Sequence, residues 1–579
     1  MTQHQGDGMV PSINPSIKKR DYALLGLIWL LSNLSDRLWL SLNQAVPAWD
    51  QSNHLTNALL YLRALQTPDI FQGEWWRQLW MLSPKYPPFT YLASVPFQAL
   101  FGPGNDQALL TAFLYSGILL ICVYHLGKVL FNREIGLWAA AITILLPRLY
   151  QNRVQFLLDN PLLMLAIAAF TCLTYWRLAK SGKQQGVWIA LFSICLGLGL
   201  LTKQSILFYL IFPLLFLGIT NLVQRQWLRL LQLAIALIGS SLLWYPWYRT
   251  NWIYLFSTAS NSNAIPASLE GDPPVNTLAA WVYYAKDLPL AVSWVLLIVP
   301  IVGILLHLLK RFPSDKNALT SQKLTKGMIW LGIYGGGTYL VCSALYNKDS
   351  RYIIPYLPVL AIVLAYGLTR WRGRWLWVRW ATLSLAILAT LTNLFPIPGS
   401  DALSQFLSPE VLFRPYLGQP VPNAAIYQTA IAQTPYQIVN LGVIPNTDQM
   451  NPNTLNYFGT LNHYQGFGRE LGSSPEKVQA DRENFSWFLR KTGENGYAQP
   501  PQLAWADQLP NHPDFERVKQ WSLADQTQVE LYHRRNPRVS IEPLDHAPPQ
   551  VTLTQIQVPE KAPPSQPLPI TYQWSGNTG

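Results

Sequence analysis

Apolar segments of bilayer length recur through the first two thirds of the chain, and short polar connections separate them. The apolar runs between Leu24 and Pro396 are about 17–23 residues long, the length that an α-helix needs to cross a membrane. The pattern predicts a polytopic all-α membrane protein with about eleven crossings, or thirteen if neighbouring helices have been merged or missed. The predicted crossings are residues 21–41, 108–131, 135–152, 157–179, 187–203, 204–223, 229–249, 290–309, 328–346, 352–369 and 379–397.

Residues 86–102 form one further apolar stretch, and its assignment depends on the charges that follow it. The basic clusters of the chain occupy every second connection, as expected if they all lie in the cytoplasm. A full crossing at 86–102 would place every later cluster on the opposite side. With two prolines at its start and Pro96 inside it, the stretch is therefore interpreted as an interfacial or re-entrant helix.

The chain becomes polar after Pro398, which predicts a separate small domain. Residues 437–443 (QIVNLGV) are typical of a buried strand, Asn451 precedes a capped helix, and residues 529–532 (VELY) are a second candidate strand. These features favour an α/β domain within 401–540. The proline-rich residues 541–579 are interpreted as a linker and tail, in which 570–579 could begin a strand.

Composition supports a membrane protein and gives its expected orientation. The chain has 50% hydrophobic and 12% charged residues, whereas soluble domains carry roughly 25% charged residues. The net charge of +12 falls in the short connections, where helix orientation explains it without nucleic acid. We therefore expect a cytoplasmic N-terminal segment (1–20), a transmembrane domain (21–400), and an extracytoplasmic first loop (42–107) and C-terminal domain. The four cysteines lie in apolar segments, which predicts neither disulfides nor a cysteine metal site.

Two carboxylates stand at the predicted outer membrane edge. Asp50 follows the first crossing, and Asp159 begins the apolar helix that starts LLDNPL. Either residue could simply cap the helix that follows it. The functional alternative makes Asp50 a general base or an orienting carboxylate, with Asp159 as its assistant.

Cations on the same predicted side break the positive-inside pattern. Lys85 precedes two prolines and could bind a lipid phosphate or merely snorkel at the interface. Lys203 lies between two apolar segments with almost no loop, where a lysine needs a partner. The remaining cationic candidates are Arg153, Lys348 and Arg351, the last beside Tyr352. His54 could face the substrate or co-ligate a metal, although a solvated loop histidine is the simpler interpretation. The chain has no Walker loop, HExxH pair or GxSxG elbow.

These motifs resemble those of the GT-C membrane glycosyltransferases, specifically the family 39-like enzymes related to protein O-mannosyltransferases and aminoarabinose lipid A transferases. The resemblance covers roughly residues 20–400. It is carried by Trp49-Asp50, by KYPPFTY from Lys85, by the stretch from Arg153 to DNPL, by Leu201-Thr202-Lys203, and by KDSRYIIP from Lys348. The family usually has Asp-Glu where this chain has Asp50-Gln51, so one carboxylate of an acidic-pair metal site is absent here.

The resemblance implies a GT-C fold and the transfer of a sugar from a polyprenyl phosphate to an acceptor. Asp50 and Asp159 would be the catalytic residues. The residues that would bind substrate or lipid phosphate are Lys85, Lys203, Lys348, Arg351, Tyr352, Arg153 and His54. No metal ligand is assigned, and a divalent cation is left open as a cofactor. The expected partners are the lipid-linked sugar, the bilayer, and an acceptor that is a protein, lipid or glycan.

The expected location is the plasma (inner) membrane. Two other classes of function remain open at this stage. A lipid or polysaccharide transporter would also have many helices with charged membrane edges, but it should show paired repeats with broken helices. A non-catalytic assembly protein would leave the membrane-edge carboxylates and lysines unexplained. Convergence of Asp50, Asp159, Lys85 and Lys348/Arg351 on one outward cavity beside a lipid-sized groove would favour the enzyme, whereas a through-going path would favour a transporter.

Overall fold

The computed structural model describes residues 19–261, 267, 271–309, 321–408, 411–541, 552–557 and 571–575. The chain divides into two compact units, Met1–Pro420 and Val421–Gly579. The second unit begins at Val421, and residues 401–407 form a short helix of the first unit. The predicted cytoplasmic segment 1–20 lies outside the described residues, except for its last two positions.

The first unit is helical. Its helices are α1 (Lys19–Leu42), α2 (Trp49–Ala64), α3 (Gly73–Met81), α4 (Phe89–Phe101), α5 (Asn105–Ala108), α6 (Thr111–Leu130), α7 (Arg133–Leu145), α8 (Pro147–Arg153), α9 (Asp159–Leu178), α10 (Gly182–Leu200), α11 (Ile206–Val223), α12 (Trp227–Asn261), α13 (Leu278–Val292), α14 (Trp294–Leu308), α15 (Ser321–Ala344), α16 (Leu357–Leu368), α17 (Leu376–Leu394) and α18 (Asp401–Leu407). Two 3-10 helices, Ser350–Tyr356 and Gly373–Trp375, precede α16 and α17.

Several of these helices are long and apolar enough to cross a membrane. Within the described residues, seven spans meet this criterion, and α13 with α14 forms an eighth that is bent by 107°. One predicted crossing outside these spans is helical but interrupted. The segment 135–152 is divided into α7 and α8, because Pro147 occupies the first position of α8 and proline has no amide proton to continue a helix. The protein is therefore a multi-pass membrane protein.

Helix α4 corresponds to the apolar stretch 86–102. It has 13 residues, whereas about 20 are needed to cross a bilayer. Its length agrees with the prediction that this stretch is interfacial or re-entrant.

Helix α9 lies at the centre of the first unit. Its apolar residues cover every side of the helix, so the whole of its surface can pack against neighbouring helices. Its span is 83% buried, and Phe170, Leu173 and Trp176 are all fully buried. The span of α12 is by contrast only 17% buried, with apolar side chains such as Leu242 exposed. Such exposed apolar surface is what a lipid-facing helix requires. The central position of α9 matters for function because Asp159 is its first residue.

The second unit is an α/β fold around one mixed sheet. The sheet has the order β2-β1-β3-β5-β4, and its strands are β1 (Val439–Val443), β2 (Gly466–Glu470), β3 (Trp487–Lys491), β4 (Phe515–Ser522) and β5 (Gln528–Arg534). Strand β1 pairs in parallel with β2 and β3, while β5 is antiparallel to β3 and β4. The helices are α19 (Asn423–Gln433), α20 (Pro452–Leu461), α21 (Pro475–Asn484) and α22 (Pro500–Gln508).

The predicted strands at 437–443 and 529–532 are observed as β1 and β5. The predicted cap is also present, because the side chain of Asn451 accepts a hydrogen bond of 3.0 Å from the amide of Thr454 at the start of α20. These local patterns are strong because a buried strand and an N-cap depend on a few neighbouring residues.

The tail differs from the predicted linker. Strand β6 (Thr552–Gln557) pairs antiparallel with β7 (Thr571–Ser575), so part of the predicted linker is a strand. The β7 strand matches the expectation that 570–579 could begin one. A partner strand is what each segment needs, since a single strand leaves its backbone groups unpaired. The rest of residues 541–579 lies outside the described part of the chain.

Candidate active site

Asp159 and Lys203 form an ion pair at the ends of two central helices. Asp159 begins α9, and Lys203 lies in the short connection between α10 and α11, as the sequence predicted for its tight turn. The Lys203 Nζ atom donates a hydrogen bond of 3.1 Å to Asp159 Oδ1. The side chain of Asp159 is only 5% exposed and that of Lys203 is 20% exposed. The partner that a lysine at this depth requires is therefore Asp159, and Asp159 does not act as a simple helix cap.

Asp50 pairs with Arg351 across a large distance in sequence. Asp50 lies in the first turn of α2, one residue after the helix begins, so it is not the N-cap either. Arg351 donates from both terminal nitrogens to Asp50 Oδ2, each at 3.2 Å. The side chain of Asp50 is 47% exposed. The carboxylate is thus held by a guanidinium while remaining accessible.

Asp349 orients the guanidinium of Arg351. Its carboxylate accepts a hydrogen bond of 2.7 Å from Arg351 Nε and another of 2.8 Å from the Arg351 backbone amide. Burial opposes ionisation of Asp349, but the hydrogen bonds from Arg351 outweigh burial and hold the pKa of Asp349 below its usual value. Arg351 is therefore fixed between two carboxylates.

Tyr352 connects the two ion pairs. Lys203 Nζ lies 5.5 Å from the centre of the Tyr352 ring, within the range of a cation–π contact. The backbone carbonyl of Tyr352 accepts a hydrogen bond of 3.1 Å from the Tyr209 hydroxyl of α11. The turn that carries Arg351 is thereby tied to the helix that follows Lys203.

His54 is a residue of α2, and it is only 3% exposed. Its Nδ1 atom is 2.9 Å from the Tyr91 hydroxyl of α4, and its ring packs edge-on against Tyr86. Burial lowers the pKa of His54 to about 4 despite the opposing charge of Asp50. His54 is therefore a neutral, packed residue near pH 7, and not the solvated loop histidine of the simpler interpretation.

The two ion pairs, Asp159–Lys203 and Asp50–Arg351, belong to one cluster, because the Tyr352 ring that contacts Lys203 is on the residue next to Arg351. The charges of Asp50, Asp159, Lys203 and Arg351 all act on His54, and the charges of Asp159, Asp349 and Asp50 act on Arg351. The segment Pro87-Pro88 borders this cluster, because the Phe89 amide at the start of α4 donates a hydrogen bond of 2.9 Å to the Leu201 carbonyl. Three segments that are distant in sequence thus meet at one place.

Lys85 is at the exposed edge of the same region. Its Nζ atom lies 5.1 Å from the centre of the adjacent Tyr86 ring, and Tyr86 packs against His54. Among the described residues, no carboxylate lies within ion-pair distance of Lys85. Lys85 is therefore a cation that remains available for an anionic ligand.

Lys348, expected among the substrate-binding residues, does not join the cluster. Its ammonium group is buried and donates to the Ser343 carbonyl at 2.7 Å and to the Leu345 carbonyl. These carbonyls belong to the last turn of α15 and the residue that follows it, where free carbonyls need a donor. Lys348 thus closes the end of α15.

Arg153 is also engaged elsewhere. Its guanidinium makes a two-point pair with Asp36 of α1, at 2.7 Å from Nε and 3.0 Å from a terminal nitrogen. The two side chains are 11% and 7% exposed. Arg153, expected among the substrate-binding residues, is therefore held by Asp36, and a terminal nitrogen also donates to the Ile144 carbonyl at 3.2 Å.

Sequence reasoning missed Asp36, Asp349 and the two tyrosines that contact His54, Tyr86 and Tyr91. Asp36 lies inside the first predicted crossing, and a charged residue within such a segment is a signal that could have identified it. Asp349 is adjacent to Arg351, so its contact is local. No group of three His, Cys, Asp or Glu residues that could hold a metal ion occurs in the described part of the chain.

Comparisons with known proteins agree with this architecture. The model of the dolichyl-phosphate-mannose-protein mannosyltransferase family matches residues 22–284. A comparison with curated protein sequences finds no match.

Two solved structures share the fold over most of their length. ArnT from Cupriavidus metallidurans bound to undecaprenyl phosphate is 15% identical, with a TM-score of 0.55 over 88% of this chain and 97% of that chain. The apo state of the same protein is 18% identical, with a TM-score of 0.53 and the same coverage of each chain. The apo oligosaccharyltransferase of Archaeoglobus fulgidus is 12% identical, with a TM-score of 0.47 over 83% of this chain and 70% of that chain.

The chain thus has the fold of these GT-C-type membrane glycosyltransferases, and its residues 22–284 match the mannosyltransferase family model. The resemblance found in the sequence motifs is thereby confirmed at the level of the class.

Proposed function

We propose that this protein transfers a sugar from a polyprenyl phosphate to an acceptor hydroxyl or amine at the membrane surface. The observation that carries the proposal is the convergence of Asp50 and Asp159 with Lys203 and Arg351 around His54. The matching family acts, by its description, on dolichyl-phosphate mannose, and the similar ArnT binds undecaprenyl phosphate. Both facts support a lipid-linked donor for this chain.

Lys85 and Lys203 are suited to hold the phosphate of the donor. Lys85 has no carboxylate partner among the described residues, and Lys203 shares its charge with only one oxygen of Asp159. An ammonium group acts on a phosphate as a point charge. These cations would stabilise the negative charge that grows on the phosphate as the sugar departs.

Asp50 is suited to accept the proton of the acceptor. Both hydrogen bonds from Arg351 fall on Oδ2, so Oδ1 can accept a hydrogen bond from a substrate hydroxyl. Arg351 in turn is fixed by Asp349. This arrangement orients the carboxylate without enclosing it.

The proposed reaction is a single inverting displacement. The acceptor oxygen or nitrogen attacks the anomeric carbon, its proton passes to Asp50, and the bond from the anomeric carbon to the phosphate oxygen breaks. The polyprenyl phosphate leaves as an anion, so it needs charge stabilisation rather than protonation. Asp159 would keep Lys203 in place and assist the acceptor.

The position of the site relative to the membrane is part of the same proposal. Since the basic connections are expected in the cytoplasm, the first loop and the C-terminal unit face outward. The donor headgroup and the acceptor would then meet on the extracytoplasmic face of the plasma (inner) membrane.

A donor-consumption assay tests the proposal. Membranes containing the full chain are incubated with a panel of undecaprenyl-phosphate-linked sugars, and released undecaprenyl phosphate is measured with and without total membrane acceptors. We expect acceptor-dependent release from at least one donor, and its loss in Asp50→Asn. Release that is retained in Asp50→Asn would contradict the base assignment, and absence of release from the whole panel would contradict the proposed donor class.

A further inference from the structure

The short helix α8 is a hub of polar contacts that precedes Asp159. It has seven residues, and its side chains reach several elements of the first unit. Arg148 donates to Asp287 of α13 at 2.9 Å, the Tyr150 hydroxyl accepts from Asn393 of α17 at 3.0 Å, and Gln151 donates to the Val411 carbonyl at 3.1 Å.

The last two residues of α8 complete the hub. Arg153 makes the buried two-point pair with Asp36 of α1. Asn152 donates to Asn160 Oδ1 of α9 at 2.7 Å, and Asn160 donates back to the Asn152 carbonyl, also at 2.7 Å. Five side chains of one short helix thus contact five different parts of the chain.

The contact between Asn152 and Asn160 has a direct geometric consequence for the site. Asn160 is the residue after Asp159, and both asparagines are buried. Two reciprocal hydrogen bonds between buried amides leave little freedom to the first turn of α9. The direction of the Asp159 carboxylate, and its contact with Lys203, therefore depend on where α8 lies.

We propose that Asn152 and Asn160 are positioning residues, which orient the Asp159 carboxylate toward Lys203. The ion pair between Arg153 and Asp36 holds α8, and therefore Asn152, in place. The importance of Asp159 for catalysis rests on the proposed function. The positioning itself does not, because it concerns the ion pair between Asp159 and Lys203. Arg153 thus contributes to the site through α8 and not by touching a lipid phosphate.

The reactivity of the Lys203 amine reports on this positioning directly. The full chain in detergent is treated with acetic anhydride, and acetylation of Lys203 is followed by mass spectrometry. An ammonium that is paired with a carboxylate reacts slowly, so we expect Asn160→Ala to raise the acetylation rate by about threefold to tenfold. Asn152→Ala keeps the backbone carbonyl of residue 152, which accepts from Asn160, so it should give a smaller increase. It serves as the second variant if Asn160→Ala does not fold.

A double-mutant cycle separates positioning from a general loosening of the fold. Asp159→Asn alone should raise the acetylation rate, and adding Asn160→Ala should then have no further effect, because Asn160 acts through Asp159. Arg77→Lys, at an exposed residue of α3 outside the contacts of α8, is the control and should leave Lys203 acetylation unchanged.

The outcomes distinguish the two proposals. An unchanged acetylation rate in Asn160→Ala, or a rise that persists in the Asp159→Asn background, would overturn the positioning role. The donor-consumption assay on the same variants tests the catalytic role separately. If Asp159→Asn retains full donor consumption while the acetylation pattern is as expected, the proposed function of Asp159 fails and its positioning stands.

Discussion

Asp50 and Arg351 are 301 residues apart in sequence, yet both terminal nitrogens of Arg351 donate to one carboxylate oxygen of Asp50 at 3.2 Å. This contact joins the start of α2 to the turn before α16. It links the residue proposed as the base to a cation that Asp349 holds in turn.

The fork of the Arg351 guanidinium should be required, and not only its charge. Arg351→Lys keeps a positive charge but cannot donate in parallel to Asp50 while also bonding Asp349. We expect donor consumption to fall by about tenfold to a hundredfold, since Asp50 loses its orientation. The assay is the release of undecaprenyl phosphate from the donor that the wild type consumes.

The control for this variant is Arg77→Lys, because Arg77 is exposed and its ion-pair partner among the described residues is Glu74 of its own helix. It should consume donor at the wild-type rate. Equal rates for Arg351→Lys and Arg77→Lys would show that the orientation of Asp50 is immaterial.

The two lysines of the predicted phosphate site should behave differently. Lys85→Gln removes an exposed cation, so it should weaken donor binding and raise KM by about tenfold, with less effect at high salt. Lys348→Gln removes the donor to the Ser343 and Leu345 carbonyls, so it should lower the unfolding temperature.

Michaelis parameters and thermal unfolding of both variants check this contrast. Lys85→Gln should unfold like the wild type, because Lys85 is exposed. An unchanged KM in Lys85→Gln together with a raised KM in Lys348→Gln would reverse the assignment of the two residues.

Breaking the Asp159–Lys203 pair should destabilise the first unit. Removing either charge leaves the other charge in a largely buried position without its counter-ion. For Lys203→Met we expect a loss of about 3 kcal/mol or less, since Lys203 is partly exposed. The double variant Asp159→Asn with Lys203→Met removes both charges and should recover much of that loss. Thermal unfolding in detergent measures the four members of this cycle, and additive losses would mean that the two residues do not interact.

Acid should destabilise the packing of α2 against α4 through His54. The pKa of His54 is lowered by burial from a normal value of 6.5 to about 4. Since the folded pKa lies below the unfolded one, the unfolded state binds more protons between these values, and stability is lost as pH falls from about 6.5 toward 4. At pH 5 this loss amounts to about 2 kcal/mol.

Thermal unfolding at pH 7.5 and pH 5 tests the role of His54. The difference in unfolding temperature between the two pH values should be larger for the wild type than for His54→Gln, which cannot titrate. An equal change in unfolding temperature between the two pH values in both proteins would mean that groups other than His54 cause the loss of stability in acid.

Much of the candidate site could be predicted from the sequence, because its residues occupy motifs at the ends of apolar segments. Asp50, Asp159, Lys203 and Arg351 were identified from charge at membrane edges, where an ionised side chain needs a reason to be present. Their pairing was not predictable. Asp50 contacts Arg351 and Asp159 contacts Lys203 because of helix packing, which no local pattern specifies.

Lys348 and Arg153, both expected among the substrate-binding residues, have partners elsewhere in the fold for the same reason. Lys348 and Arg153 have the same residue types and predicted side as the residues that do converge, but a helix end and Asp36 satisfy them. Whether a cationic side chain binds a ligand or makes a structural contact depends on the residues that surround it in the folded protein. The sequence pattern therefore located the charged motifs, but it could not show which of their cations have partners within the fold.

The central claim is that Lys85 and Lys203 hold the phosphate of a polyprenyl lipid. Native mass spectrometry of the full chain, titrated with undecaprenyl phosphate and with the uncharged alcohol undecaprenol, measures this most directly. We expect the phosphate to bind at least about tenfold more tightly than the alcohol, and the double variant Lys85→Gln with Lys203→Met to lose this preference. Equal binding of the two lipids to the wild type, or a preference that survives in the double variant, would contradict it.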